Sequence, residues 1–305
     1  MKFLVTLNYR YATRMPVRMT RNYWWFGTLL ACSAACAQGG PPFAADLNEA
    51  VIEIPVLVNG QPTESHMVGT LFKPDGDGPF PFAIISHGRA GMPVERAQVP
   101  RWRYSEQSRW LVRKGFAVIV PTRRGYGATG GSDVEQSYNC ANPAYRDALA
   151  GGVESVLSAI SYAKAQKFID PARFILIGQS VGGFLTVGVT ATAPPGLVAA
   201  VNFAGGHGGD PMRHPVVPCA PEKLLEVYSA AGRTARAPML WVYTENDQYF
   251  GPEYVRSWHT GFNAAGGHAE LHVLPPFQND GHRLFVNGMA IWQPVVETFL
   301  RSVGF

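Results

Sequence analysis

A serine stands between two glycines at the point where a strand should turn into a helix. Residues 178–182 read Gly-Gln-Ser-Val-Gly, and a continuous apolar run, residues 174–177, precedes them. Glycine at both flanking positions fits a sharp reversal in which longer side chains would collide. Such a turn places the serine oxygen at a helix N-terminus, which favours negative charge. The pattern predicts that Ser180 is a nucleophile and that the N–H of Val181 donates to an oxyanion.

A base and an acid for this serine occur later in the chain. His282 follows the last predicted strand, and Asp247 follows the strand before it. Because the carboxyl ends of parallel strands share one edge of a sheet, both loops should reach Ser180. His282 would take the serine proton, and Asp247 would orient the imidazole. The alternative acids are Asp280, which is awkwardly close to His282 along the chain, and Glu245, which directly follows its strand and could point away.

A second oxyanion donor should come from the loop after the buried run 82–86, which begins His87-Gly88-Arg89. An oxyanion hole needs two backbone N–H groups near the serine. The N–H of Arg89 is the favoured donor, and that of Gly88 is the alternative. The side chain of Arg89 either binds a substrate carboxylate or is solvated.

Strands and helices alternate along the chain. A hairpin that turns at Asn59-Gly60 is predicted first, followed by strands that are continuous apolar runs. The predicted strands are 51–58, 66–73, 82–86, 116–120, 174–177, 197–203, 239–243 and 271–274, and further helices are predicted at 105–114, 182–192, 222–231, 252–265 and 284–303. The fold class is therefore α/β, with a mostly parallel central sheet flanked by helices.

Three local expectations accompany this fold. Asn142 and Pro143 should be the N-cap and the first residue of a helix. Pro294 should kink or restart the last helix. Residues 205–237 have little strand character and should form a small insertion near the mouth of the site.

The N-terminal residues 1–37 have the composition of a secretory signal. Arginines come first, a short apolar segment follows, and Ala-Cys-Ala at positions 35–37 fits a cleavage site after Ala37. Translation could start at Met15 or Met19. A retained anchor and lipoprotein processing at Cys32 are the alternatives. Residues 38–49 are predicted as a linker and residues 50–305 as the catalytic domain, in a periplasmic or secreted protein with no stable membrane span after signal removal.

Two cysteines, Cys140 and Cys219, remain after such cleavage. A pair in an exported protein indicates one disulfide, and two free buried thiols are the alternative. A metal site built from His207, His214 and Asp210 is conceivable, but their spacing matches no metal motif. No metal and no organic cofactor are therefore expected.

The charge balance argues against nucleic-acid binding. The formal charge of +4 depends on the predicted leader, which carries five of the 26 Lys and Arg residues and no acid. The rest of the chain has 21 basic residues against 22 acidic ones, without the basic excess of a nucleic-acid binder.

These motifs together resemble the α/β-hydrolase superfamily, and in particular its dienelactone-hydrolase-like and prolyl-oligopeptidase-like serine hydrolases. The resemblance covers residues 50–305 and rests on His87-Gly88, Arg124-Gly125-Tyr126-Gly127, Ser180, Asp247 and Gly281-His282. It implies a core sheet of about eight strands and nucleophile, acid and base roles for Ser180, Asp247 and His282. Dienelactone hydrolases proper use a cysteine nucleophile, so Ser180 is a departure that puts dienelactone in doubt as the substrate.

The sequence thus predicts an exported serine hydrolase that cleaves small carboxylic esters through an acyl-enzyme. A small peptidase or amidase of prolyl-oligopeptidase type is the first alternative. A non-catalytic binding protein on the same fold is the second. The oligomeric state is left open.

Overall fold

The structure, a computed structural model, describes residues 43–137 and 139–305. In this part of the chain eight strands pair in one sheet, in the order β1-β2-β4-β3-β5-β6-β7-β8. The strands are β1 (Ala50–Val58), β2 (Gln61–Phe72), β3 (Phe80–Ser86), β4 (Ala117–Pro121), β5 (Ile169–Gln179), β6 (Leu197–Phe203), β7 (Met239–Thr244) and β8 (Ala269–Leu274). The predicted leader, residues 1–37, and linker residues 38–42 lie outside the described residues.

The strand directions create a crevice at the centre of the sheet. β1 pairs antiparallel with β2, and β2 with β4, whereas all other neighbours are parallel. From β3 the chain first moves to β4 on one side and later to β5 on the other side, so the direction of winding reverses at β3. Ligand sites of α/β proteins form at the carboxyl ends of the strands where this happens. The prediction of a mostly parallel, eight-stranded sheet is confirmed.

Helices cover both faces of the sheet. They are α1 (Pro93–Gln98), α2 (Ser105–Arg113), α3 (Tyr145–Lys164), α4 (Val181–Ala191), α5 (Pro221–Gly232), α6 (Pro252–Ala264), α7 (Leu284–Asn287) and α8 (Met289–Ser302). In β3, Phe82 and Ile84 pack in the core layer under α3 to α6, and Ala83 and Ile85 pack in the layer under α2 and α8. Burial of both faces is why this strand is continuously apolar. No helix of the described part is long and apolar enough to cross a membrane.

Two helix boundaries differ from the sequence prediction. α3 begins at Tyr145 rather than at Pro143, because Asn142 belongs to the preceding loop, where its N–H donates to Oδ1 of Asn139. The break in the last helical region lies at Gly288, between α7 and α8, and not at Pro294, which lies inside α8. Glycine has a low helix propensity, so Gly288 is a favourable place for the interruption.

The end of the predicted linker is part of the domain. Leu47 is buried against the sheet, 2% exposed. The carboxylate of Glu49 is fully buried and accepts hydrogen bonds from the guanidinium groups of Arg101 and Arg103. Residues 43–49 therefore pack on the domain, which corrects their assignment to a linker.

The predicted insertion, residues 205–237, has two parts. Its second half is α5, which packs on the sheet with Leu224 and Tyr228 fully buried. Its first half, residues 205–220, is irregular and contacts Ser180 at the carboxyl end of β5, where the N–H of Gly206 donates to the carbonyl oxygen of Ser180. A disulfide between Cys140 and Cys219 joins this irregular segment to the loop before α3.

Replacing Cys140 and Cys219 together by serine should lower the free energy of unfolding by about 2–4 kcal/mol, because the bridge closes a long loop in the unfolded chain. The two cysteines are 79 residues apart. Urea unfolding followed by circular dichroism measures the change. Ser65→Ala, at an exposed position of β2, serves as the control. An unfolding midpoint that both variants share with the wild type would show that the bridge adds no stability.

Candidate active site

Ser180 lies in a strained turn between β5 and α4. Its backbone has φ 57° and ψ −125°, a conformation that non-glycine residues rarely adopt. A Cβ on Gly178 would lie 2.1 Å from the carbonyl oxygen of Gly182, and a Cβ on Gly182 would lie 2.1 Å from the carbonyl oxygen of Ser86. Both obstacles are backbone atoms, so the chain can make this turn only with glycine at the two positions.

Asp247 and His282 are hydrogen-bonded to each other. Nδ1 of His282 lies 3.0 Å and 3.1 Å from the two carboxylate oxygens of Asp247, which is fully buried. The same carboxylate accepts the N–H groups of Tyr249 and Phe250. Since an ionised carboxylate only accepts hydrogen bonds, Nδ1 carries a proton. The lone pair of the neutral ring is therefore on Nε2.

The two alternative acids have other roles. Glu245 is exposed at the surface. Oδ1 of Asp280 accepts the backbone N–H groups of His282 and Gln248, which caps the short turn that carries His282. Of the three acids considered, Asp247 is the one whose side chain contacts the imidazole.

Three residues that sequence reasoning missed hold the imidazole loop. The ring of Tyr249 stacks on that of His282 with 4.1 Å between centroids, and Phe250 meets it edge-on. Nε2 of Gln179, the residue before Ser180, donates to the carbonyl oxygen of His282. Gln179 thus connects the serine turn directly to the histidine loop. The sequence signal that could have identified Gln179 is its position directly before Ser180.

The loop after β3 is fixed by a buried neutral histidine. Nε2 of His87 accepts the N–H of Arg123, so Nδ1 carries the proton and donates to the carbonyl oxygen of Gly88, 2.7 Å away. Burial and the charge of Arg123 hold the pKa of His87 well below its usual value. The loop lies against the nucleophile turn, because a Cβ on Gly88 would be 3.3 Å from Cβ of Ser180.

A fully buried ion pair holds the loop after β3 in place. Arg123 donates to both carboxylate oxygens of Glu135, at 2.5 Å and 3.0 Å, and to the carbonyl oxygen of His87. The hydroxyl of Tyr126 also donates to Glu135. Burial raises the pKa of Glu135, but the charge of Arg123 and these hydrogen bonds outweigh burial and lower it overall. Arg124, one residue along, pairs with Glu154 on α3.

The side chain of Arg89 has a partner within the protein. Its guanidinium donates to both oxygens of Asp133, and Arg96 pairs with the same carboxylate from α1. The sequence left open whether this side chain binds a substrate carboxylate or is solvated, and the structure shows it mostly buried and paired, which corrects the second option. Arg89 instead connects its loop to the loop that carries Glu135.

Two clefts meet at Ser180. The larger cleft has a volume of about 720 Å³ and lies between α1 and residues 205–214; Ser180, Val181, His207 and the disulfide line it. The smaller cleft has a volume of about 280 Å³, and Ser180, His282, Trp102 and Val286 line it. A substrate bound at the serine can therefore extend in two directions.

The residues considered for a metal site do not form one group. Nε2 of His207 donates to the carbonyl oxygen of Glu135, and Nδ1 of His214 donates to that of Val217. Oδ1 of Asp210 accepts two backbone N–H groups of its own turn. Among the described residues, the side chains whose metal-binding atoms lie close together form a different group, so His207, His214 and Asp210 do not make a common site.

The family model of the dienelactone hydrolase family matches residues 68–295, which is more than half of the chain and includes the loops that carry Ser180, Asp247 and His282. The chain belongs to the dienelactone hydrolase family. It is therefore a hydrolase, as the resemblance implied. No curated protein matches the sequence significantly.

Several solved structures share the fold. A putative dienelactone hydrolase from Klebsiella pneumoniae is 18% identical, with a TM-score of 0.54 over 83% of this chain and 98% of that chain. An esterase from Pyrococcus furiosus is 13% identical, with a TM-score of 0.58 over 87% and 94%. An acylaminoacyl peptidase from Pyrococcus horikoshii is 11% identical, with a TM-score of 0.57 over 84% of this chain and 42% of that chain. The predicted α/β-hydrolase fold is confirmed.

Gly182→Ala should destabilise the fold by more than about 3 kcal/mol, because its Cβ would overlap the backbone of Ser86. Thermal unfolding measures the change. Gly91→Ala is the matched control on the loop after β3, since a Cβ there meets nothing within 4 Å. Equal melting temperatures for the two variants would contradict the close approach at the turn.

The fold should lose stability in mild acid because of its buried histidines. Burial lowers the pKa of His207 to about 4, whereas the unfolded histidine titrates near 6.5. Below about pH 6.5 the unfolded chain therefore binds protons that the folded chain does not. His207 alone should cost about 3 kcal/mol of stability as the pH falls from 6.5 to 4. Glu135, whose pKa is lowered, adds a loss only below about pH 4.5.

Urea midpoints between about pH 4 and pH 7 test this. His207→Gln keeps a side-chain donor for the carbonyl oxygen of Glu135 and should flatten the curve. His66→Gln, at an exposed position of β2, should run parallel to the wild type. A His207→Gln curve as steep as that of the wild type would disprove the assignment.

Proposed function

We propose that this protein is a serine hydrolase that cleaves carboxylic esters, with Ser180 as nucleophile, His282 as base and Asp247 as orienting acid. The observation that carries the proposal is the hydrogen bond from His282 to the buried carboxylate of Asp247, beside a serine held at positive φ. Ser180 and His282 line the same cleft. The dienelactone hydrolase family supports hydrolysis as the reaction.

The first step is attack on the ester. Nε2 of His282 takes the proton of the Ser180 hydroxyl, and Oγ forms a bond to the acyl carbon. The carbonyl π electrons move to its oxygen, which becomes the oxyanion. Asp247 holds the proton on Nδ1, so Nε2 is free to accept, and it stabilises the imidazolium that forms.

The oxyanion would be bound by the N–H groups of Val181 and Arg89. Val181 is the first residue of α4, where backbone N–H groups lack partners within the helix. The N–H of Arg89 shares a peptide unit with the carbonyl of Gly88, which accepts from His87. Because a trans peptide directs C=O and N–H to opposite sides, His87 turns the N–H of Arg89 away from itself. This supports Arg89 over Gly88 as the donor.

The second half of the reaction regenerates the enzyme. His282 returns the proton to the alcohol oxygen as the C–O bond breaks, which leaves an acyl group on Ser180. A water molecule then loses its proton to His282 and attacks the acyl carbon, and the proton finally passes to Oγ of the leaving serine. One ester and one water give one acid and one alcohol, with no cofactor in the cycle.

The two clefts would divide the substrate. His282 must reach the oxygen of the departing alcohol, and it lines the smaller cleft. The alcohol part would therefore occupy the smaller cleft, and the acyl part would extend into the larger one. Binding in both clefts restricts the rotation of the substrate, and this restriction holds the acyl carbon in the position for attack.

We also propose that the protein is exported, to the periplasm or the medium, with residues 1–37 as the signal. A disulfide between Cys140 and Cys219 supports an oxidising compartment. N-terminal sequencing of the processed protein would test the cleavage site directly.

Ser180→Ala should reduce hydrolysis of 4-nitrophenyl esters by about 10⁴-fold or more and leave the melting temperature nearly unchanged. A series of acyl chain lengths, followed by release of nitrophenol, measures the rate. Asp247→Asn should also lose about 10⁴-fold, since the amide disturbs the tautomer of His282. Ser65→Ala, on an exposed part of β2, is the control.

Labelling of the wild type by a fluorophosphonate, lost in Ser180→Ala, identifies the nucleophile independently of the substrate chosen. Matched 4-nitroanilides separate an esterase from an amidase of the same mechanism. Ester hydrolysis by Ser180→Ala at the wild-type rate would contradict the assignment of Ser180 as the nucleophile. Absence of both labelling and turnover in the wild type would favour a binding protein.

A further inference from the structure

Three side chains with metal-binding atoms lie together at the mouth of the larger cleft. We call Cys140, His214 and Cys219 the rim cluster. Nε2 of His214 lies 3.8 Å from Sγ of Cys140 and 3.7 Å from Sγ of Cys219. Cys140 is exposed and the other two are half-buried, so solutes reach the cluster from solvent. The proposed hydrolysis uses none of the three.

His214 is oriented as a metal-binding histidine is. Nδ1 lies 2.6 Å from the carbonyl oxygen of Val217, which can only accept, so Nδ1 carries the proton. The lone pair of the neutral ring is therefore on Nε2, the atom that faces both sulfurs. Histidine ligands of metals usually donate their other N–H to a carbonyl or carboxylate in this way.

The nitrogen-to-sulfur distances are already close to those of a tetrahedral site. With a Zn–S bond of about 2.3 Å and a Zn–N bond of about 2.0 Å, the S···N edges of a zinc tetrahedron are about 3.5 Å. The observed 3.8 Å and 3.7 Å separations are within a few tenths of an ångström of this value. The two sulfurs of a zinc site are about 3.8 Å apart, so the disulfide must open before a metal can bind.

The cluster is also held by its backbone. The N–H of Cys219 donates to the carbonyl oxygen of Gly208, and the hydroxyl of Tyr145 donates to the carbonyl oxygen of Cys219. The N–H of His214 donates to the carbonyl oxygen of Asp210. None of these bonds involves the disulfide, so two of the three ligands have supports that remain when the bridge opens.

We propose that, once the disulfide has been reduced, the rim cluster binds a zinc-class divalent cation through the two thiolates and Nε2 of His214. The reductant is an external dithiol, which becomes a disulfide as the Cys140–Cys219 bond takes up two electrons and two protons. Metal binding then releases the two thiol protons. The disulfide and the metal exclude each other, and the fourth ligand position is left to solvent or to a group of the substrate.

The test uses the full chain with Cys32→Ser and Cys36→Ser, which leaves the rim cluster as its source of thiols. The protein is reduced anaerobically with a phosphine, freed of reductant and titrated with Co²⁺. The reduced chain should bind one Co²⁺, with thiolate-to-cobalt charge transfer and the intense visible bands of a tetrahedral site. Zn²⁺ should displace it, and the oxidised chain should show neither band. This readout is independent of catalysis.

Matched variants separate the ligands. His214→Asn should weaken Co²⁺ binding by about tenfold or more, whereas His66→Asn should leave it unchanged. Cys140→Ser/Cys219→Ser should bind no Co²⁺ under reducing conditions. Equal binding by that double variant, or no charge-transfer band in the reduced chain, would overturn the proposal.

Circular dichroism recorded during the titration shows whether the chain loses structure when the disulfide is reduced. A reduced chain that has unfolded should refold as Zn²⁺ binds, since a site formed only in the folded state stabilises it. A chain that stays unfolded at saturating Zn²⁺ would also overturn the proposal.

Discussion

The site depends on one close approach, in which the end of β3 lies directly against the first turn of α4. Ser86 and Gly178 are register partners on neighbouring parallel strands, so the two chains leave the sheet side by side. Backbone oxygen at Ser86 occupies the space that a side chain at position 182 would need. The positive φ of Ser180 and the place of the loop after β3 both follow from this contact. Strain at the serine is maintained because the surrounding packing leaves it no alternative.

Buried charge then determines the shape of the loop. An isolated guanidinium or carboxylate would be costly at such a depth, and the pairing of Arg123 with Glu135 offsets that cost while it directs the remaining hydrogen bonds. One of them goes to the carbonyl oxygen of His87, whose ring in turn holds Gly88. A chain of oriented dipoles thus runs from the interior to the peptide between Gly88 and Arg89, in a loop that lies against the serine turn. The loop is positioned by the core, although it lies at the surface.

The elements that the sequence predicted well are those with local causes. β5, the serine turn and α4 follow from an apolar run and two glycines, and Asp247 and His282 follow from strands that end at the same edge. The pairing of Arg123 with Glu135 depends on the path of a glycine-rich loop, which no local pattern determines. The bridge of Gln179 to the histidine loop joins residues 103 positions apart. Contacts of this kind depend on the assembled sheet, so single-sequence reasoning finds the candidate serine, acid and histidine but misses the contacts that hold them in place.

The proposed base and acid are carried by the two strands at one border of the sheet, whereas the proposed nucleophile is carried by a central strand. β8 has a single strand neighbour, β7, and its side chains are mostly half-buried. Strands at the edge of a sheet open more readily than central ones. Their backbone amide hydrogens then exchange with solvent without global unfolding. Detachment of β8 would carry His282 away from Ser180 and leave the serine turn intact. The protein would then lose activity at a lower temperature than the one at which its core melts. The strength of the pairing between β7 and β8 would set that lower temperature.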